Sequence, residues 1–361
     1  MKLVIKVGTQ AIVDEKSQVR EKAMLTLVAQ IAALKQQGCQ VILVSSGAVG
    51  SGRRVGQARL GASFGETTVE KQVLSSLGQP ALMGLYTELF SVHALLVGQV
   101  LLTKQDFQTR AHYLNISKIF KKMLEHAHII PVVNENDSVS IEELIFTDND
   151  ELAGLIAALL GAHKLIILTS VNGVYDGHPS EAGSTLIPVI DPAKDNNWPT
   201  VSSMMSTQGR GGMISKLGIA KKLSQLGITT HIANIDEENA LLKIFNNESI
   251  GTVILAQKKA SSIKRWISFC DWQKTGAIYV NVCLFELLKK GERAISILPI
   301  GIDRCEGDFK KGDLIEIMSP GHQQIGIGIA RYDSELLSSY LGKKDKPEII
   351  HYDHLMIKIG K

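Results

Sequence analysis

Two lysines and a set of acid and amide side chains stand where short apolar runs of this chain end. Lys6 closes the first run in Lys6-Val7-Gly8-Thr9, and Lys216 follows the glycine loop Gly209-Arg210-Gly211-Gly212-Met213-Ile214-Ser215. Between them come Ser45-Ser46-Gly47-Ala48, Asn134-Glu135-Asn136-Asp137 and Thr147-Asp148-Asn149-Asp150. In open α/β sheets, ligands bind beyond the carboxyl ends of the strands, so segments far apart in sequence can meet there. Lysines, carboxylates, amides and unhindered backbone N–H groups together suit the transfer of a phosphoryl group to a small polar acceptor.

Each segment has a chemical and a plainer reading. Lys6 alone would be a lysine at a strand terminus, but Gly8 beside it lets a phosphate approach the backbone. The lysine would then act as a point charge on the transferring oxygens. Ser46, Gly47 and Ala48 could bind a phosphate or a carboxylate through N–H groups, and serve equally as a tight turn. Among the polar residues after the run at 129–133, Asp137 could accept from a substrate ammonium, and the amide of Asn134 could hold a carboxylate. One residue of 147–150 is expected to cap the helix that follows. Three acid or amide side chains in a row exceed what a cap needs, and a carboxylate there could hold two phosphate-binding lysines in place. The glycine loop opening a helix favours an anion, and Lys216, about one turn inside, can reach back to it. Thr169 and Ser170 end another run and suit the nucleotide side. No Walker A sequence occurs, and no GxGxxG follows a strand, which argues against a P-loop NTPase and a Rossmann dehydrogenase.

These segments need a frame. Through about residue 256, apolar β-branched runs (3–7, 41–44, 95–102, 129–133, 165–168, 229–233) alternate with helical-period stretches such as 21–37, closed by Gly38, and the apolar 151–162. That order predicts an α/β fold with an open, mostly parallel sheet sandwiched by helices, its strands buried on both faces. A polar stretch then marks a linker at 257–270. Beyond it, runs at 277–282, 294–298, 314–318 and 325–330, with a helical piece at 285–290, predict a small, largely antiparallel β domain over 271–361.

The 361 residues exceed what one core usually supports, in keeping with two domains. A formal net charge of +3 gives no reason to expect a nucleic-acid or membrane partner. Residues 261–361 carry 15 Lys and Arg against 13 Asp and Glu, a net of +2, weaker than an RNA footprint requires. Four scattered cysteines, Cys39, Cys270, Cys283 and Cys305, have no zinc spacing and read as free, mostly buried thiols of a reducing cytoplasm. The apolar run 152–162 is too short to span a bilayer. A cytoplasmic location is expected.

In this order the motifs KVGT, VSSGAVGSG, GQVLLT, PVVNENDSV, TDNDELA, LILTSVNGVY and GRGGMISKL resemble the glutamate 5-kinases of the amino acid kinase family, over essentially the whole chain. NEND followed by DND is the most specific part. The C-terminal piece resembles a PUA domain through Gly301-Ile302, Gly307-Asp308-Phe309 and Lys311-Gly312-Asp313. The resemblance implies an amino acid kinase domain at 1–256 that uses ATP and Mg2+ to phosphorylate the γ-carboxylate of L-glutamate, the first step of proline biosynthesis. It implies that Lys6, Lys216 and Asp150 are catalytic, and that Ser46, Gly47, Ala48, Asn134, Asp137 and Asn149 bind glutamate. ATP would be bound by Lys6, Gly8, Thr169, Ser170, Arg210, Gly211, Gly212, Met213, Ile214, Ser215 and Lys216; no metal ligand is assigned. It further implies proline as feedback inhibitor, with residues 61–79 at the glutamate and effector loop, a dimer or tetramer, and a glutamyl phosphate reductase that takes the product onward. The chain departs from the family pattern at Ser170, where Asp is usual, at Arg210, where Thr is usual, and at Thr147, where Gly is common. Acetylglutamate kinase or aspartokinase activity, and RNA binding through the C-terminal domain, are the alternatives; only the acceptor site discriminates among the kinases, with Asp137 the key, since a free substrate amine needs a carboxylate and an acetylated one does not.

Overall fold

The structure is a computed structural model and describes all residues except 15–18, 62–63, 109, 140–147, 178–182, 195–211, 258–274, 291–294 and 358–361. The expected linker, Thr147, Arg210 and Gly211 thus lie outside the described residues, apart from Gln257 in the linker. The chain forms two compact units, Met1–Asp106 with Leu114–Ala260, and Phe107–Tyr113 with Ser261–Lys361.

The first unit is built on an eight-stranded sheet. In chain order its strands are β1 (Lys2–Val7), β2 (Gln40–Ser45), β3 (Leu96–Leu102), β4 (Ile129–Glu135), β5 (Lys164–Thr169), β6 (Val189–Ile190), β7 (Thr229–Asn234) and β8 (Thr252–Ile254). They lie side by side as β3-β4-β2-β1-β5-β7-β8-β6, parallel except for the β7–β8 pair. The β-branched and Leu-rich runs are buried over almost their whole length in β1, β2, β4 and β5, as strands covered on both faces must be. The exception is β3, whose residues are mostly exposed or half-buried because it forms the edge of the sheet.

Helices cover the sheet: α1 (Thr9–Ile12), α2 (Glu21–Gln36), α3 (Ala48–Leu60), α4 (Thr68–Ser91), α5 (Arg110–Glu125), α6 (Asn149–Leu160), α7 (Met213–Gln225) and α8 (Ala240–Phe245). Helix α2 stops where expected, with Gly38 taking a left-handed φ of 77°. The apolar α6 starts two residues earlier than its hydrophobic run, because the polar first turn is held by a cap. Ten of its twelve residues, from Asp150 to Leu160 except Glu151, are buried, so its lack of a polar face follows from its place inside the unit. Helices α3 and α4 meet backbone to backbone. A Cβ on Gly52 would fall 1.9 Å from the Leu74 carbonyl oxygen, and one on Gly78 would fall 1.8 Å from that of Ala48.

The second unit contains a five-stranded sheet ordered β10-β9-β11-β12-β13, with β9 (Ala277–Val280), β10 (Ile302–Glu306), β11 (Leu314–Met318), β12 (Gln324–Ile329) and β13 (Leu355–Ile357). It is antiparallel except for β9 with β11. Helices α9 (Val282–Lys290) and α10 (Ser334–Tyr340) accompany it. The run at 277–282 is a strand only to Val280, because Asn281 accepts the Leu284 N–H and starts α9. No strand forms at 295–298: Ile297 makes one isolated bridge to Ile350, and Pro299, which lacks an N–H, opens a 3-10 turn. Strand β10 has little apolar alternation and is largely exposed at the sheet edge, so no pattern marks it in sequence. Of the described cysteines only Cys39 is buried; Cys283 is exposed on α9, and Cys305 on the edge strand β10 is half-buried against the small core of this unit.

Candidate active site

Register aligns the ends of four strands. Val7 stands level with Ser45 of β2 and Leu168 of β5, and Val44 with Val133 of β4. The polar residues after these positions therefore leave the sheet together, on either side of the point where the chain switches from β1 leftwards to β2 and later rightwards to β5. Open α/β sheets place their ligands at such a point.

The N-terminus of α6 comes to this edge. Asp148 caps it, accepting from the N–H groups of Asp150 at 2.8 Å and Glu151 at 2.9 Å. Its other oxygen accepts the Ser215 hydroxyl at 2.6 Å, tying the first turn of α6 to that of α7. Asp148 thus has a role that spacing alone does not show, since any residue of its run could have been the cap.

Asp150 is fully buried between two lysines. Its Oδ1 lies 2.6 Å from Lys6 Nζ and its Oδ2 lies 2.9 Å from Lys216 Nζ, and both lysines are themselves buried. Burial by itself pushes the Asp150 carboxyl up, but the two ammonium groups outweigh it and hold the group below the ordinary carboxylate range. The cluster carries one negative and two positive charges, so it is complementary to a further anion. A Cβ on Gly8 would lie 3.6 Å from Lys6 Nζ; glycine keeps that approach to the ammonium open.

Next to this clamp runs a chain of amides. Asn149, adjacent to Asp150, donates through Nδ2 to Ser46 Oγ at 2.8 Å and to Asn134 Oδ1 at 3.0 Å. Asn134 donates to Gln79 Oε1 at 2.9 Å. Gly47, at φ 106°, turns the backbone after Ser46 so that Ala48 can open α3. Asp137 accepts the Ser75 hydroxyl at 3.2 Å. Gln79 and Ser75, both on α4, join the group across more than fifty residues, and no motif points to their pairing. Asn149 Oδ1 and Gln79 Nε2 are buried without a protein partner among the described residues.

On the other side of β1, Thr169 is half-buried and Ser170 exposed, with the Ser170 hydroxyl 3.3 Å from Gln10 Oε1. Thr169 stands level with Asn234 of β7, whose amide donates to Asn172 at 2.9 Å. Both asparagines line a cavity of about 310 Å³ with Leu186, Ile250 and Gly251. Gly212, Met213 and Ile214 begin α7 beside Ser215 and Lys216, Ile214 being largely exposed. Among the described residues no cluster of His, Cys, Asp and Glu has the makings of a metal site, and no helix is long and apolar enough to cross a membrane.

The geometry can therefore grip an anion between two lysines beside a pocket of oriented amides. The amino acid kinase family model matches residues 1–234, and a PUA domain model matches 276–351. The chain is 42% identical to the glutamate 5-kinase of Chlorobaculum tepidum over 99% of its own length and 97% of that protein's. It is 40% identical to the glutamate 5-kinase of Bacteroides thetaiotaomicron, over 99% and 98%. With that of a Thermoanaerobacter species it shares 36%, again over 99% and 98%. The chain belongs to the amino acid kinase family, with the glutamate 5-kinases as its full-length relatives.

Proposed function

We infer that the chain transfers the γ-phosphoryl group of ATP to the γ-carboxylate of L-glutamate, forming ADP and L-glutamyl 5-phosphate, the first step of proline biosynthesis. The observation that carries this is the Lys6–Asp150–Lys216 clamp standing one residue from the Asn149–Asn134 amide chain. A site that stabilises a phosphoryl group and a site for its polar acceptor are thereby covalently adjacent.

In this reading the two lysines neutralise the charge that spreads over the phosphoryl oxygens in the transition state, and Asp150 keeps them from drifting apart. The protein's own ion pairs hold both lysines in place, so little reorganisation is left for the chemical step. The attacking carboxylate, with an ordinary pKa near 4.3, is already ionised at neutral pH, and no general base is needed. Catalysis then consists of alignment and charge stabilisation. Ser46, Gly47, Ala48, Asn134, Asp137 and Asn149 hold the amino acid. Thr169, Ser170 and residues 210–216 hold the nucleotide, its nucleoside half lying towards the cavity at Asn172 and Asn234. Magnesium bound with the nucleotide would supply positive charge to the phosphates; no described residue is assigned to hold it, since the buried Asp150 carboxylate is already engaged by two lysines.

The division into a catalytic domain at 1–256, a linker at 257–270 and a PUA-like domain at 271–361 belongs to the same reading, as do a cytoplasmic location, inhibition by proline, a homo-oligomeric state and hand-over of the acyl phosphate to a reductase. The test is ADP release dependent on ATP and magnesium, with hydroxylamine present to trap an acyl phosphate. Glutamyl hydroxamate formed from L-glutamate, and neither from N-acetyl-L-glutamate nor from L-aspartate, is the expected result. Turnover of another acceptor would keep the chemistry and move the substrate. No turnover with any acceptor would refute the reading.

A further inference from the structure

The amide chain in the acceptor pocket has a direction, and the backbone fixes it. The Glu135 N–H can only donate, and it donates to Asn134 Oδ1 at 2.9 Å. Asn134 therefore turns its Nδ2 towards Gln79 Oε1, and Asn149 must meet Asn134 Oδ1 with its own Nδ2. The remaining Nδ2 hydrogen of Asn149 goes to Ser46 Oγ. Every donor of the Asn149 amide is then used within the protein, and its Oδ1 is left as a buried acceptor without a partner among the described residues.

Gln79 closes the other end. It is 7% exposed, and the backbone contact of Gly78 with Ala48 holds this part of α4 against α3. Its Oε1 receives the Asn134 amide hydrogen, which would otherwise be a buried donor with no acceptor. Reversing the Asn134 amide cannot relieve that, because Nδ2 would then face the Glu135 N–H, donor against donor.

We propose that Gln79 is a positioning residue of the acceptor site. By accepting from Asn134 it fixes the direction of the amide chain, so that Asn149 offers an oxygen, the group that suits the ammonium of a free α-amino acid. Gln79 touches neither the reacting carboxylate nor the phosphates and acts only through Asn134. The proposal rests on the reading of this pocket as the L-glutamate site.

Steady-state kinetics of the full chain test it with two variants. Gln79→Met keeps the length of the side chain and removes the acceptor; Gln79→Glu keeps an oxygen towards Asn134 and removes the NH2 group. Loss of a buried hydrogen-bond partner corresponds to a change of about ten- to hundred-fold, so Gln79→Met should raise the KM for L-glutamate by about that factor. The KM for ATP should stay within about two-fold, and Gln79→Glu should restore most of the glutamate KM. A purely structural role would move the two KM values together or appear only in the melting temperature. Should Gln79→Met fail to fold, the smaller Gln79→Ala takes its place with the same expectation. An unchanged glutamate KM in the variant without an acceptor, or an equal rise in Gln79→Glu, overturns the proposal. Wild-type protein that does not phosphorylate L-glutamate overturns instead the reading on which it rests.

Discussion

Replacing Asp150 by Asn changes almost no volume and removes the one negative charge between two buried cations. Lys6 and Lys216 approach its two oxygens at 2.6 and 2.9 Å, and Asp150 is fully shielded from water. An amide can accept from one lysine through its oxygen, but it turns an NH2 group towards the other. Breaking a buried ion pair by removing one partner costs about 3–5 kcal/mol, and here one carboxylate serves two cations, so the upper part of that range is expected. For a unit of this size, each kcal/mol moves the melting temperature by about 2–4 °C, so a loss of about 4–5 kcal/mol gives a drop of about 8–20 °C without nucleotide. ATP with magnesium should recover a larger part of the loss in the variant than it adds to the wild type, since the phosphates then supply the missing negative charge. Turnover should not recover, because the lysines no longer have a fixed relation to the phosphoryl group; a fall in kcat of about 10²–10³-fold is expected, comparable to removal of one preorganised transition-state donor. Thermal melts with and without ATP, alongside the hydroxamate assay, read both effects. A variant that melts within about 2 °C of wild type and keeps kcat within about ten-fold would mean that Asp150 is only a first-turn helix residue, and the clamp would lose its meaning.

Other perturbations separate packing from chemistry. Gly8→Ala adds a methyl group in ordinary contact distance of Lys6 Nζ, 3.6 Å away, so stability should hold while kcat/KM for ATP falls by roughly ten- to hundred-fold through displaced phosphates. Gly78→Ala drives a methyl group into the Ala48 carbonyl at 1.8 Å and must push α3 from α4; a loss of about 1–3 kcal/mol or more in urea unfolding is expected, with a raised KM for the acceptor because Ser46 and Gln79 move apart. His231 on β7 is buried, and burial, aided by nearby Lys164, pushes its imidazole down from 6.5 to about 4, so it is neutral in the folded state. The unfolded chain takes up that proton below pH 6.5, and stability is therefore full above 6.5 and lost as the pH falls towards 4, by about 3 kcal/mol in all. Melting curves between pH 7.5 and 4.5 should show this loss for the wild type and a smaller one for His231→Gln.

Much of this was legible in the chain itself. Buried strands write themselves as unbroken apolar runs, and helix ends are marked by Gly38 and by the polar turn before α6, because these signals depend on neighbours a few residues away. The lysines, the glycines and the acid–amide runs could be picked out as chemistry for the same reason: they interrupt a pattern. The edge strand β3 was legible as well, because its run at 95–102 stays apolar although it is largely exposed; the polar strand β10 was harder, since it has no apolar run to mark it, and the residues at 295–298 show an apolar run that Pro299 cuts short.

What only the tertiary structure decided is which of those groups face one another. Composition cannot say that one carboxylate, Asp150, would lie between lysines 144 positions before it and 66 positions after it in the chain. Nor does any local signal pair Gln79 with Asn134, or give Asp148 both a helix cap and the Ser215 hydroxyl. Those contacts follow from strand register, which sets Val7, Ser45 and Leu168 level, and from the close approach of α3 to α4 at Gly52 and Gly78. Register and backbone approach are properties of distant segments packed together, and a hydrogen bond decided at 3 Å has no trace in the order of residues along the chain.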